Sequence, residues 1–437
     1  LKILSFSDHF IFGDTMISNF CARKLSAAAM DAGVTEVAKN IFWIGVNDWD
    51  LREFHSMHAP VGTSYNSYLI QCSKPTIIDA VKAPFYNTWV SRLQTMYGDD
   101  LRGINYIILQ HAEPDHTSGI TQFLKDFPHI QLLCTKQNFD TLSRFYNTKN
   151  WNYKLIKLGE PIQLGDKSVV MAGVPMAHWP EQAVTYIPDQ RILFTSDAFG
   201  QHIATTKRFV DEIDSCLYHS ELKSYFGNIL LRLRNPVLKA IKTAASLPGI
   251  DVILPAHGVG CRRPQDISHV IKLYTDWANQ KPEKKLTVLY DCNWFGTERM
   301  AVAVAAGASK TGIDVKMIHA RKTHITNTLT ELVDSAGIAT GSSTLHEYIL
   351  PDLACHLAYL KQAQIRNKVG GIFGTYGWNK GAVPKDIRAH LFTPAKVKEV
   401  SEPVMAHWNP RDEDFEKCEE LGRQLGKAVI ATVNSQK

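Results

Sequence analysis

Four apolar, strand-length runs in the chain each lead into side chains that bind metals. "INYIILQ" runs into His111-x-Glu113-x-Asp115-His116, "VVMAGVPMA" into His178, "ILFTS" into Asp197 and "DVILPA" into His257. Such groups are costly inside a protein unless something neutralises them, so any fold this chain adopts must carry the four strand ends to one place. A single histidine at a strand end is commonly a hydrogen-bonded structural residue, whereas seven ligand-type residues at four strand ends form a set. Four imidazoles and three carboxylates exceed what one tetrahedral zinc takes and suit two metals with one carboxylate shared. Mixed nitrogen and oxygen donors fit iron, manganese or zinc.

At 437 residues the chain predicts two domains. Up to "IDVILPA", short apolar strands ("NIFWIGV", "NSYLIQC", "PTIIDAV", "IQLLCTK", "RILFTSD") alternate with helical stretches such as "FYNTWVSRLQTMYG" and "PVLKAIKTAAS". That pattern predicts an α+β or layered αββα domain over residues 36–280. After the helix-like "DISHVIKLYTDWANQ", the charged, proline-containing "KPEKK" reads as a linker. Strand and helix then alternate through "LTVLY", "TERMAVAVAAGASKTG", "IDVKMIHA", "GGIFGTYG" and "FEKCEELGRQLGKAVI", which predicts an open α/β sheet over 281–437.

Charge excludes some partners. There are 48 basic and 43 acidic residues without long blocks of either sign, and no basic stripe interleaved with aromatics. Nucleic acid is therefore not an expected partner, and no apolar run approaches the length of a bilayer span. Eight scattered cysteines, with no CxxC pair, fit the reduced thiols of an intracellular protein. Residues 1–35 read as an extension. "MISNFCARKLSAAAMDAG" carries Arg23 and Lys24 with no acid before Asp31, and resembles the short leaders of proteins imported into mitochondrion-derived, hydrogenosome-like organelles. Without import, the expected location is the cytoplasm.

The second half offers three loops suited to a cofactor. "YDCNWFGTERM" places Asn293, Trp294, Gly296 and Thr297 between a strand and a helix, where backbone amides and the Thr297 hydroxyl can cradle a phosphate. It lacks the GxxxxGK[ST] pattern of nucleoside triphosphate loops. "GIATGSSTLHEYILP" follows a strand with Ser342, Ser343, Thr344 and Leu345. "IFGTYGWNKGA" offers Gly374, Tyr376, Gly377 and Trp378 for close approach and an aromatic wall. Three such loops at strand ends of one α/β sheet predict FMN.

The first-half layout resembles the metallo-β-lactamase superfamily, whose zinc motif is His-x-His-x-Asp-His. Glu113 replaces the second histidine, and a hard, anionic oxygen donor favours iron over zinc. With "DWDLREFHS", "GTSYNSYLI", "HAEPDH", "AHWP", "SDAFGQH", "PAHG" and "GTYGWNKGA", the chain from about Val34 onward resembles the flavodiiron protein family. The resemblance implies an N-terminal αββα metallo-β-lactamase-like domain holding two irons, followed by a flavodoxin-like doubly wound parallel sheet holding FMN. It implies one iron on His111, Glu113 and His178, a second on Asp115, His116 and His257, and Asp197 bridging them. His55, in "REFHSMH", stands where the family often places a pocket histidine that donates a proton or hydrogen bond, and His202 is a weaker candidate.

The implied activity is four-electron reduction of O2 to water. Reduction of two NO to N2O at the same site is the alternative, and a binuclear metal hydrolase is a second one. A non-enzymatic flavin carrier with a degenerate metal site is a further reading. The resemblance also implies a head-to-tail homodimer, or a tetramer, in which one subunit's flavin faces the other's irons. With no rubredoxin or flavin reductase module after the closing helix, the expected electron source is a separate small donor protein or reductase.

Overall fold

The computed structural model describes residues 33–436. The reading of residues 1–35 as an extension or presequence lies almost wholly outside them.

Two sheets face each other in the first part of the chain. One has seven strands and the other five, and the five-stranded sheet runs antiparallel until its last pair, Ile192–Phe194 with Val252–Leu254. Between them lies a core drawn from both inner faces, with Trp43, Tyr68, Ile70 and Ile108 meeting Val169, Met171, Ile187 and Phe194. The outer face of the first sheet is covered through Trp89, Leu93 and Phe123, and that of the second through Val237, Val270 and Tyr274. The result is an αββα sandwich. Runs such as Tyr106–Ile108 and Ile192–Phe194 are apolar at every position because both of their faces are covered.

The second part is one parallel sheet. Glu283–Asp291 and Ser335–Ser343 lie at its centre, flanked by Asp314–His319 on one side and Val369–Tyr376 on the other; Val404–His407 continues that side. This is the doubly wound order in which ligands sit past the carboxyl ends of the strands. Helices Gly296–Ser309 and Asp412–Asn434 cover one face and Pro351–Ala363 the other.

The segment read as a linker is not an exposed tether. The strand begins inside it, at Glu283, and the ammonium of Lys285 is held by Glu331 and Asp334. Asp334 also takes the Lys223 ammonium of the first part at 2.8 Å. Partners remote in sequence neutralise Lys285, while Lys281, Glu283 and Lys284 stay exposed. A shared apolar core, including Phe226, Leu230 and Trp277 with Leu329, Val333 and Leu357, further joins the two parts. The second cofactor loop also starts later than its composition suggests, because Ser342 and Ser343 end a strand.

Helix Gly296–Ser309, whose N-terminus borders the cofactor cavity, meets helix Asp412–Asn434 backbone to backbone. A Cβ on Gly422 would lie 2.0 Å from the Val304 carbonyl oxygen, and one on Gly307 would lie 1.9 Å from that of Glu419. Gly422→Ala is expected to push the helices apart and cost about 1–3 kcal/mol. Denaturant unfolding measures this, and an unchanged midpoint would contradict the close approach.

Candidate metal centre and cofactor cavity

The four strands Tyr106–Ile108, Ser168–Gly173, Ile192–Phe194 and Val252–Leu254 all release their chains at one end of the sandwich. The seven ligand-type side chains converge there in two groups. His111, Glu113, His178 and Asp197 form one, and Asp115, His116 and His257 the other. Asp197 faces both. Its Oδ2 lies 2.6 Å from His178 Nε2 and 3.4 Å from His111 Nε2, while its Oδ1 lies 3.1 Å from His116 Nε2 and 3.8 Å from His257 Nε2. Pro114 opens the short helix Pro114–Thr117, which turns Asp115 and His116 back toward the site.

The surrounding residues orient the imidazoles. His257 Nδ1 lies 2.7 Å from the Ser64 carbonyl and His111 Nδ1 lies 3.1 Å from Ser196 Oγ, so in both rings Nε2 faces the centre. Gln182 accepts from the backbone N–H groups of His178 and Trp179, and Glu181 accepts from Ala112 N–H. Asp79 receives both the backbone and side-chain N–H of Gln110, fixing the chain just before His111. Sequence reasoning did not single out these residues. The available signal was the polar run Thr63-Ser64-Tyr65-Asn66-Ser67, which is buried throughout.

The donor set suits cations. His111 Nε2, Glu113 Oε2, both oxygens of Asp115 and Asp197 Oδ1 are buried without a hydrogen-bond partner, and His116 Nε2 faces His257 Nε2 at 3.1 Å. Bare acceptors pointing at one another repel unless protons or metals lie between them. Protons would have to come from the imidazoles. Burial alone would lower the His111 pKa, but Asp197 and Glu113 overcome it and push it up to about 10. His178 is raised to about 9 by the same carboxylates against the same burial penalty. Burial would raise the acids, but the facing imidazoles outweigh it and hold Glu113, Asp115 and Asp197 below the ordinary carboxylate range. The pocket therefore requires positive charge, which metal ions supply without the protons.

Access is one-sided. The side chains of His111, His116, His257 and Asp197 are fully buried, whereas Glu113 is 10%, His178 11% and His55 22% exposed. His55 lies at this opening, with its Nε2 2.6 Å from Glu113 Oε1. It occupies a two-residue hairpin turn in which both His55 and Ser56 take positive φ, a conformation that ordinarily selects Asn and Gly. His202 sits behind the centre, its Nδ1 3.0 Å from Thr63 Oγ1 and its Nε2 without a partner.

A separate cavity of about 480 Å³ lies past the strand ends of the parallel sheet. Asn293, Trp294, Gly296, Ser343, Thr344, Tyr376, Gly377 and Trp378 line it, and so do Thr375, Trp408 and Asn409, which sequence reasoning missed. The missed signal was the short strand Val404–His407, which delivers "WNP" beside the sheet. Ser342, Leu345 and Gly374 are not in the lining, and Thr297 stands just behind it, bonded to the lining residues Ser343 and Thr375. The Ser342 hydroxyl instead donates to the Ser343 carbonyl and accepts from Leu350 N–H, and Leu345 pairs with Tyr348. A Cβ on Gly374 would lie 2.2 Å from the Ser342 carbonyl oxygen.

The cavity has a polar end and an aromatic end. Thr297 Oγ1, Ser343 Oγ and Thr375 Oγ1 lie 3.1 Å from one another at the start of helix Gly296–Ser309. That helix has no side-chain cap, and Trp294 and Phe295 before it both take positive φ. Uncapped N–H groups beside three hydroxyls suit a phosphate. At the other end stand Tyr376, Trp378 and Trp408, and a Cβ on Gly377 would lie 2.4 Å from the Trp408 ring. A planar ring system fits such a wall.

The raised histidine pKa values set the pH dependence of metal loading. Below about 9 the metal-free centre holds imidazolium protons that a metal must displace. Adding a divalent metal to the metal-free protein in weak buffer at pH 7–8 is expected to release protons, and apparent affinity is expected to rise with pH toward about 9–10. A pH indicator measures the release; loading without protons would show that the imidazoles are already neutral.

Comparisons with known proteins bear on the whole chain. Residues 63–258, a stretch containing all seven converging residues, match the family model described as "ODP family beta lactamase". A nitric oxide reductase of Moorella thermoacetica is 34% identical over 399 residues, covering 90% of this chain and 98% of that protein. The crystal structure of the flavodiiron protein from Giardia intestinalis superposes with a TM-score of 0.88 at 32% identity, covering 92% of this chain and 98% of that one. The rubredoxin oxygen:oxidoreductase of Desulfovibrio gigas superposes at 0.86 with 29% identity, covering 92% and 99%. In these terms the sandwich is metallo-β-lactamase-like and the parallel sheet flavodoxin-like. Sharing a third of its residues with such relatives along nine-tenths of its length, and folding as they do, the chain belongs to the flavodiiron protein family of oxidoreductases.

Proposed function

We propose that this chain reduces O2 to water, with His111, Glu113 and His178 holding one iron, Asp115, His116 and His257 the other, and Asp197 bridging them. FMN occupies the cavity of the parallel sheet. The observation that carries this reading is the pair of donor groups sharing Asp197 in a chain that also has a cavity with a phosphate-type end and an aromatic end. Two ferrous ions and a reduced flavin, when bound, supply four electrons between them, the number that takes O2 to two waters. A hydrolase is disfavoured because Glu113 puts a hard anionic donor where zinc enzymes of this fold use histidine.

The protein's own residues do the rest. Glu113, His178 and His55 form the open side, so a diatomic molecule reaches the centre past them. His55 Nε2 holds Glu113 Oε1, which leaves Oε2 for the metal. The fully buried His111, His116, His257 and Asp197 keep water from the far side. Ser343 and Thr375, backed by the buried Thr297 hydroxyl, would hold the flavin phosphate, and Trp378 and Trp408 would offer an aromatic wall to its ring system.

A second reading, reduction of two NO to N2O, is favoured by the name of the Moorella relative; the name of the Desulfovibrio relative favours O2. Parallel O2 and NO consumption by the same reduced, metal- and flavin-loaded protein separates them. Faster O2 loss without residual peroxide is expected. Faster NO loss with N2O formed would assign the second reading, and consumption of neither would overturn both.

The working unit we propose is a head-to-tail homodimer fed by a separate small electron carrier, with domains dividing near residues 280 and 281. Trp294, Phe295, Tyr348, Trp378 and Trp408, in or beside the loops around the flavin cavity, are each more than 60% exposed, a large apolar rim for an isolated chain. No ligand-type residue of the metal centre lines that cavity. Activity per chain is expected to fall on dilution in step with dimer dissociation, followed by light scattering and turnover; a fully active monomer would contradict it.

A further inference from the structure

The opposite end of the parallel sheet carries a cleft that neither the metal centre nor the flavin cavity uses. Its volume is about 680 Å³, within the range of small-molecule sites. Strand Val369–Tyr376 reaches the cleft with its first residue and the flavin cavity with its last, so the two lie about 23 Å apart at the rise of an extended strand. Lys361, Arg366, Lys396 and Lys398 stand in the lining with no carboxylate among the lining residues, and all four are exposed. None of the four forms an ion pair among the described residues, and what sets them apart is that they gather around one concave floor without a lining carboxylate. The buried Lys368 turns its ammonium inward to the Ser335 carbonyl and is not available to a ligand.

Helix ends do not cancel this charge. Helices Pro351–Ala363 and Asp412–Asn434 finish at the cleft, and each C-terminus carries roughly half a negative charge. Two of them against four cations leave an excess of about three positive charges. An adjoining hollow shares Lys361 and Gln364 with the cleft and adds Arg232 of the first domain and His390, again with no carboxylate. The loop between is fastened to the domain junction, since Gln280 donates to the Gln364 carbonyl at 3.0 Å and accepts from Arg366 N–H at 2.6 Å.

We propose that this cleft binds a small molecule bearing several phosphates, held by Lys361, Arg366, Lys396 and Lys398 at the end of the parallel sheet opposite the flavin cavity. Guanidinium and ammonium donors around a concave floor fit phosphate oxygens. Apolar Ile365 and Pro394 in the same wall leave room for a non-phosphate moiety. A nucleoside triphosphate and an inorganic polyphosphate share this chemistry. Because Gln280 ties the binding loop to the junction, occupancy is expected to stabilise the arrangement of the two domains.

The test is titration calorimetry on the flavin- and metal-loaded protein, with ATP and with inorganic tripolyphosphate as probes. Saturable binding that weakens with added salt is expected, with a higher unfolding temperature in the probe's presence. Tighter ATP binding identifies a nucleotide; equal or tighter tripolyphosphate binding identifies the phosphate chain. Lys361→Gln, Arg366→Gln and Lys398→Gln are each expected to weaken binding roughly ten-fold, while Lys207→Gln, an exposed cation elsewhere, leaves it unchanged. All four are surface changes, so retained flavin absorbance and unfolding temperature without probe verify folding. Binding of neither probe, or binding unaffected by the three cleft variants, would overturn the proposal.

Discussion

Three buried carboxylates facing four imidazoles set the terms for the rest of this molecule. Without metal, the acids hold protons on His111 and His178 well beyond neutral pH, and the arrangement survives as imidazolium–carboxylate pairs. With metal, the same geometry becomes two donor groups hinged on Asp197. Either way the centre needs positive charge in an interior that resists it, so the surroundings are rigid and polar where they must be. Ser64, Ser196, Asp79, Gln182 and Glu181 each fix a ligand residue or the backbone beside one.

That rigidity comes from the sandwich. Four strands enter from a common apolar core and leave at one end, so a ligand on each loop needs only a short reach. The exception is His55, which arrives on a small hairpin outside the main sheets and in a strained turn. Its hairpin also touches the second domain, where His58 N–H donates to Thr326 Oγ1 at 3.3 Å. The opening of the metal centre thus borders the interface between the two domains.

The interface is built as a core, not a hinge. Apolar side chains from both domains share one cluster, and the buried Lys223–Asp334 pair, joined by the half-buried Lys285, lies at its edge. Removing one member of such a group leaves a charge without its partner, which costs more than the intact group contributes. The parallel sheet is thereby held with one end offering a cavity rimmed by tryptophans and the other a cleft rimmed by unpaired cations.

The sequence alone picked out the seven ligand-type residues that converge, and the class of each domain. Ligand-type residues at strand ends, and a change of rhythm from strand-rich to alternating, are local patterns, and local patterns survive in one dimension. The glutamate at 113 and the glycine-rich loops of the second half were legible for the same reason. Tertiary structure decided what depends on partners remote in the chain. It showed that Lys285, at the end of the charged 281–285 segment, is neutralised by Asp334 and Glu331, and that Ser342 spends its hydroxyl on backbone 343 and 350. It also brought Thr375, Trp408 and Asn409 to the cavity and left Lys361, Arg366, Lys396 and Lys398 together without acids. Whether a polar side chain is satisfied or left open depends on what packs against it, and that is a property of three-dimensional neighbours.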